Sequence, residues 1–451
     1  MPATVDLTRG PLSLGDAPAN VQPESWDPNV DRYLPLDSFP ITATLDRMKQ
    51  GKKVDSKIHH WWTKPLNPLS GVVDDVYTNA GLTIVYAGAT LAAGNSVYLK
   101  PTTASETAVM NGKVGMQMIL HSLTLGARLV VLVTSIEPEG LNVRFCVKTL
   151  QTDTSDVLLQ TDITWALLGR SMPERHELGE SISEQVSPRY NYMGSDMEEF
   201  GATNDKLNEA TRLNTNIKDD EEMDALLRLT PRREFNALEA VRYLGTSTEG
   251  PSYYAGGLRF FLNEHESANV INWKTDTTYS AATDTVLAGT LPFLRRVFKQ
   301  SRIWIRPGAT MQLHLSATNI ELISNCVLNA GTYNIDYGTN KFGIDVAYLR
   351  GLGRVVELVE NAFFEHYAPF LNTGYLLIPE LMSRHEPIDN ATGGLPRSKG
   401  LIKIPWSGAK PGQINGDNYK SWQTGAYLCH ETFEFRKEAA FFIIDNLGLD
   451  K

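Results

Sequence analysis

From Met197 to Gly245 the sequence carries apolar residues at helical spacing, and this run constrains the fold more than any other. Met197, Phe200, Leu207, Ala210 and Leu213 stand roughly three or seven residues apart. Beyond the acidic run KDDEEMD (218–224), Met223, Leu226, Leu227, Phe235, Leu238 and Val241 extend the stripe to Gly245. Such spacing lines one helical face, acidic residues suit a first turn, and glycine suits a C-terminal stop. Thr230-Pro231 interrupts the pattern. It fits a kink, or a restart with threonine as N-cap and proline at the first helical position. If nearly continuous, residues 219–244 span on the order of 40 Å at ~1.5 Å per residue. A helix of that length is a scaffold element.

The chain before the stripe is of two kinds. Residues 1 to about 40 are polar and carry Pro2, Pro11, Pro18, Pro23, Pro28, Pro35 and Pro40. Such a segment buries too little surface to offset its own ordering entropy, so it is disordered or an arm laid on another surface. Residues 71–170 read as β structure. TIVYAG, SVYLK, RLVVLVTSI and LNVRFCVKTL are rich in β-branched residues, and PEGLN (138–142) suits a hairpin turn. Short strands so spaced suggest a small sheet or barrel-like unit. After the stripe, residues 286–300 are helix-like and strands with short helices continue to about 385. The tail GAYLCHETFEFRKEAAFFIIDNLG (425–448) alternates and then becomes an apolar run ending at glycine.

With 451 residues, 42% hydrophobic and 21% charged, the chain has room for two or three domains and a sizeable core. Its net charge of −10 argues against a general nucleic-acid binder, although a local basic patch is compatible with it. Cys146, Cys326 and Cys429 are odd in number and far apart, so neither a disulfide framework nor a zinc knuckle is suggested. No signal peptide and no membrane-length apolar run is expected, which points to a soluble protein made in a cytoplasm.

The stretch DSKIHHWWTKPL (55–66) looks most like a site. Adjacent His59 and His60 point to opposite faces of a strand, or lie ~100° apart on a helix, so they do not close easily on one metal. Trp61 and Trp62 diverge in the same way, a poor aromatic box but a good two-sided anchor. GLGR (351–354) lacks the third glycine of a dinucleotide loop, and no phosphate loop or GxSxG elbow occurs. Glu360, Glu365 and His366 do not match HExxH spacing. No catalytic residue, cofactor site or metal site is therefore assigned.

Four stretches, in order along the chain, resemble the major capsid proteins of tailed bacteriophages with the Hong Kong 97-type fold. They are PLDSFPITATLDRMKQGKKVDSKIHHWW; GRSMPERHELGESISEQVSPRYNYMGSDMEEFGATND; MDALLRLTPRREFNALEAVRYLG with YYAGGLRFFL; and the closing GAYLCHETFEFRKEAAFFIIDNLG. Met193 departs from the family's usual threonine-glutamine pair after Asn191-Tyr192. The resemblance covers about a quarter of the chain.

It implies an α+β Hong Kong 97-like capsid fold with an N-terminal arm (1–45) and an extended β-loop (46–120). Residues 121–249 would hold a β segment and a peripheral domain with a long spine helix (200–245). A mixed α/β axial domain (250–400) would come next, then a closing strand-helix (401–451) that returns to the peripheral domain. The VVLVTSI and LNVRFCV strands belong either to the loop region or to a small inserted β unit. The implied partners are copies of the chain itself, as homo-pentamers and homo-hexamers, with portal, scaffolding or decoration proteins as further candidates. The shell would enclose double-stranded DNA without reading its sequence and would not bind membrane. The implied location is the virion, after synthesis in a bacterial cytoplasm. Pro35, Phe39, His59, His60, Trp61 and Trp62 are the candidate inter-subunit contacts. An encapsulin-type compartment is the nearest alternative, and a hydrolase using Glu360, Glu365 and His366 the more remote one.

Overall fold

Alternating apolar strands and one long amphipathic helix sort the chain into two compact units, Trp62–Pro188 and the combination of Met1–Trp61 with Arg189–Lys451. The computed structural model describes residues 39–48, 51–64, 69–88, 91–103, 112–139, 142–170, 186–203, 217–247, 250–281, 284–331, 334–339, 345–350, 355–387, 397–398, 401–407 and 422–449. Pro35, the GLGR motif and the tip of the PEGLN turn lie outside the described residues.

Helix α1 (Pro40–Met48) and strands β1 (Lys53–Val54) and β2 (Ile58–Thr63) lead to the first unit. That unit is a closed six-stranded barrel. Its strands are β3 (Ser70–Tyr77), β4 (Ser96–Pro101), β5 (Met116–Ser122), β6 (Arg128–Glu139), β7 (Asn142–Thr149) and β8 (Ile163–Arg170), joined in the order β3-β4-β7-β6-β5-β8. Every second residue turns inward. Val97 and Leu99, Met118 and Leu120, Leu129 and Val131, and Phe145 and Val147 fill the interior, with Trp165 edge-on to Phe145 at 5.1 Å between ring centres. Closure removes the exposed edges that a short open sheet would present. The expected border between residues 120 and 121 is corrected, because it falls inside β5. The VVLVTSI and LNVRFCV segments are β6 and β7 of the same barrel.

In the second unit, β9 (Ser187–Tyr192) pairs with β2, and β10 (Gly194–Thr203) runs antiparallel to the later strand β22 (Trp422–Phe435) over ten residue pairs. Residues 197–203 were expected to be helical and are strand. Phe200 and Ala202 point inward at period two, whereas Met197 is exposed. Pairing with a fourteen-residue partner overrides a three-residue spacing that fitted a helix by coincidence.

The long helix is α2 (Ile217–Glu239), 23 residues, or about 35 Å at ~1.5 Å per residue. It runs unbroken through Pro231. Thr230 Oγ1 donates to Leu226 O at 2.8 Å, a local back-bond in the turn before the proline. The helix stops short of Gly245, which instead lies in the hairpin β11 (Tyr243–Ser247) and β12 (Gly250–Tyr254). Gly257 carries the constraint at the helix end. Its N–H donates to Ala240 O at 2.7 Å, and a Cβ there would sit 2.5 Å from Asn236 O. This close approach requires the second glycine of YYAGGLRFFL.

Helix α3 (Leu258–His265) comes next, then β13 (Val270–Asn272), α4 (Val286–Arg302), β14 (Gln312–Leu315) and α5 (Ala317–Ala330). Beyond them lie β15 (Asn334–Thr339), β16 (Asp345–Arg350), β17 (Val356–Glu360), β18 (Gly374–Leu377), β19 (Met382–Pro387), β20 (Arg397–Ser398), β21 (Leu401–Ser407) and β23 (Phe442–Asp445). A seven-stranded mixed sheet has the order β13-β23-β18-β14-β17-β16-β15, with β14 and β18 buried along their whole length. Phe293, Leu294, Val297 and Phe298 of α4 and Ile323 and Cys326 of α5 pack into the same core. A second sheet has the order β1-β19-β22-β21-β20.

Two further expectations are corrected. The closing segment is strand, short 3-10 turn, strand, because the apolar run Phe442–Asp445 pairs between β13 and β18 instead of forming a helix. A border at 400/401 would therefore cut β23 from its own sheet. The arm cannot extend to residue 45 as a detachable piece either, since Phe39, Ile41 and Leu45 are buried.

Candidate functional site: the histidine–tryptophan strand and the carboxylates around helix α2

Strand β2 presents its two faces as its alternation predicts. His59 and Trp61 turn inward, and His60 and Trp62 turn outward. Trp61 is 6% exposed and lies 5.4 Å, ring centre to ring centre, from Phe261. Phe39 is buried and stacks on Phe363 at 4.5 Å. Both rings are thus spent on their own chain, which corrects their expected role at a subunit contact. His60 is exposed and tilts against Tyr190 at 5.7 Å, and Trp62 is 65% exposed.

His59 belongs to a cluster that no sequence spacing indicates. Its Nε2 lies 3.0 Å from Glu434 Oε2, and His385 Nε2 lies 2.7 Å from the same oxygen. The three ligand-type atoms fall within 4.8 Å of one another, close enough to suggest a divalent cation. The tautomer argues otherwise. Lys52 N–H donates to His385 Nδ1 at 2.8 Å, so the proton of neutral His385 must sit on Nε2, where a metal would need a lone pair. Arg436 Nε donates to Glu434 Oε1 at 2.6 Å. Burial alone would raise the Glu434 carboxyl, but hydrogen bonds from His385, His59 and Arg436 outweigh it and hold the group well below the carboxylate range. The donor set fits a satisfied hydrogen-bond hub that ties β2, β19 and β22 together.

Further carboxylates anchor α2. Glu234 is fully buried and accepts from Ile41 N–H (3.1 Å), Thr42 N–H (3.4 Å), Thr42 Oγ1 (3.1 Å) and Asn361 Nδ2 (2.9 Å). It thereby caps helix α1 from a position 193 residues away. Burial pushes its carboxyl up to about 7 despite these donors. Arg233 Nη2 meets Glu431 Oε2 at 3.0 Å. Burial would raise Glu431, but the Arg233 and Arg384 guanidinium groups bring it below its ordinary value. Arg259 binds Asp445 through both terminal nitrogens (2.8 and 2.7 Å) and Glu239 through Nε (2.6 Å). Asn191 joins three segments: its amide donates to Gly256 O and Phe433 O, both at 2.9 Å, and accepts from Gly256 N–H at 2.7 Å.

Among the described residues Glu360, Glu365 and His366 form no cluster of metal-ligand atoms, and Glu365 and His366 are exposed. Glu365 accepts from the N–H and hydroxyl of Thr318 in the first turn of α5. Glu360 lines a groove of about 450 Å³ together with Ile320, Tyr337, Val346 and Leu358. Ser195 Oγ and His430 Nδ1, 2.7 Å apart, form a pair that the sequence did not single out. They are directly opposed on β10 and β22, beside a cavity of about 70 Å³, far below the ~300 Å³ of a small-molecule site. Cys326 and Cys429 are buried free thiols that burial raises above their ordinary range.

No family model and no curated protein matches the chain. Solved structures do. The holo-SrpI encapsulin complex of Synechococcus elongatus PCC 7942 is 13% identical with a TM-score of 0.36, covering 58% of this chain and 78% of that one. The cyanophage A-1(L) capsid is 10% identical with a TM-score of 0.39, covering 62% and 85%. The capsid of Myoviridae phage XM1 is 9% identical with a TM-score of 0.37, covering 60% and 81%. Likenesses this weak leave the role of the chain to its own residues and geometry.

Proposed function

We propose that the chain is the major capsid protein of a tailed DNA bacteriophage, a structural subunit without catalysis. In this reading it closes with its copies into pentamers and hexamers of an icosahedral head. The resemblance of four ordered sequence stretches motivates the proposal, and the β11–β12 hairpin carries it. Tyr243 and Tyr254 are directly opposed there, 6.0 Å between ring centres, and are 61% and 55% exposed. The hairpin's other face carries Tyr253, edge-on to Tyr192 at 5.5 Å. Among the described residues no third strand joins it. A two-stranded hairpin is marginal alone, and an aromatic pair facing water suits a surface covered by another copy. Large self-association interfaces are apolar and rich in aromatic residues.

The test is negative-stain microscopy and sedimentation of the overexpressed protein beside Y243S/Y254S. Closed shells from the native chain, lost in a variant whose melting temperature is unchanged, support the reading. A native chain that stays monomeric across micromolar concentrations overturns it. Small cargo-filled cages would redirect it to an encapsulin-type compartment.

A further inference from the structure

In a chain with 52 acidic and 42 basic residues, no carboxylate occurs between Asp284 and Glu321, while Arg295, Arg296, Lys299, Arg302 and Arg306 all fall there. The fold turns part of this stretch into a cationic face. On α4, Leu291, Phe293, Leu294, Val297, Phe298 and Ser301 are buried, so Pro292, Arg295, Arg296 and Lys299 share the opposite, exposed side. They line a groove of about 370 Å³. Arg296 Nη1 donates to Tyr279 O at 2.6 Å, which holds its guanidinium in place. Arg295 and Lys299 have no ion-pair partner among the described residues. At the end of the helix, Lys437 Nζ donates to Trp304 O at 3.3 Å and brings a further cation to the same terminus. The elements packed against α4 offer little neutralisation. Helix α5 carries one carboxylate, Glu321, and the turn at 438–440 carries Glu438, already paired with Arg189 at 3.4 Å, while Asp276 and Asp284 in the segment before α4 accept from Tyr279 N–H at 2.9 Å and Ala281 N–H at 2.8 Å.

Stabilisation of the helix itself explains only part of this. Cations favour a C-terminal turn, which covers Lys299 and Arg302, but the dipole's influence fades within one turn and leaves Arg295 and Arg296 unaccounted for. The geometry points to a binding face for the phosphate backbone of double-stranded DNA, engaged without sequence readout. From Pro292 to Lys299 the face runs about 10 Å at ~1.5 Å per residue, and a duplex presents one charge per ~1.7 Å of its axis, on the order of six phosphates over that length. Arginine forks match phosphate oxygens, and a shallow groove rimmed by long cationic side chains suits a repeating backbone better than a shaped acidic peptide. This inference deepens the proposed function by naming how the enclosed genome meets the subunit, and it rests on that reading.

The test is fluorescence anisotropy of the full-length protein with a labelled random-sequence 30-base-pair duplex across a sodium chloride series. R295Q/K299Q is measured in parallel and leaves the Arg296–Tyr279 contact intact. Three phosphate contacts predict a slope of about −2.7 for log affinity against log salt, and loss of two predicts about −0.9, with at least a tenfold weaker low-salt affinity. Equal slopes and affinities for variant and native protein would overturn the assignment. So would displacement of the duplex by polyglutamate as effectively as by unlabelled DNA, since the face would then suit an acidic protein. Negative-stain images of the variant separate this from the proposed function. Normal shells with lost DNA binding support the inference, and DNA binding by a chain that never forms shells overturns the capsid reading alone.

Discussion

Glu234 offers the most direct quantitative test of the packing. Its carboxylate faces four hydrogen-bond donors, yet burial raises its pKa to about 7 from an ordinary 4.5. The folded protein therefore binds a proton more readily than the unfolded chain. The stabilisation is fully present below the unfolded value and is lost as pH rises through the folded one. Between pH 5 and 8 the change amounts to about 2–3 kcal/mol by linkage. Glu234→Gln removes the titration. Its carbonyl can serve Ile41 N–H and Asn361, while its amide turns to the Thr42 hydroxyl. Stability of native protein minus variant, from urea unfolding at pH 5, 6, 7 and 8, should fall with pH by that amount. Hydrogen exchange at Ile41 and Thr42 should report the same trend locally. Glu234→Ala should cost more at every pH, because each orphaned buried donor costs about 1–3 kcal/mol. A difference that is flat or rises with pH would refute the reasoning.

Other tests separate chain-internal contacts from those offered outward. Trp61→Ala should cost about 3–5 kcal/mol in folding, whereas Trp62→Ala should leave the melting temperature within ~1 °C and weaken only assembly. Asn191→Ala should lower stability by about 2–4 kcal/mol, read by denaturant midpoint, because Gly256 N–H and two carbonyls lose their partner together. Chelator or added zinc should leave the melting temperature unchanged, and a shift of several degrees would mean the His59–His385–Glu434 hub holds a metal after all. Deletion of residues 1–38 should leave a folded chain, whereas deletion to residue 45 should destabilise it by exposing the site of Phe39 and Ile41.

Strand alternation made the β-rich character of residues 71–170 legible, and helical spacing revealed most of α2 and α4. Closure of the barrel was not legible, because register between distant strands leaves no mark on any one of them. Residues 197–203 and 442–445 are strands despite their helix-like spacing for a related reason. Short apolar runs fit either period, and the partner strand decides. At the site, opposite faces for Trp61 and Trp62 followed from the backbone, but which ring would be buried depended on Phe261, far along the chain. The His59–His385–Glu434 hub joins three segments whose sequences share no spacing. The cationic face of α4 is legible in RRVFKQSR (295–302), which contains no carboxylate.

The barrel begins and ends at one place. Thr63 Oγ1 donates to Ser187 O at 3.3 Å, and β2 and β9, which flank the insertion, pair with each other. A chain that leaves and returns through neighbouring strands accepts cargo of nearly any length between them, since closing the loop costs little more for a long insert than a short one. Residues 64–186 thus mark a grafting point where a foreign domain, or a bare glycine-serine bridge, can be exchanged for the native module.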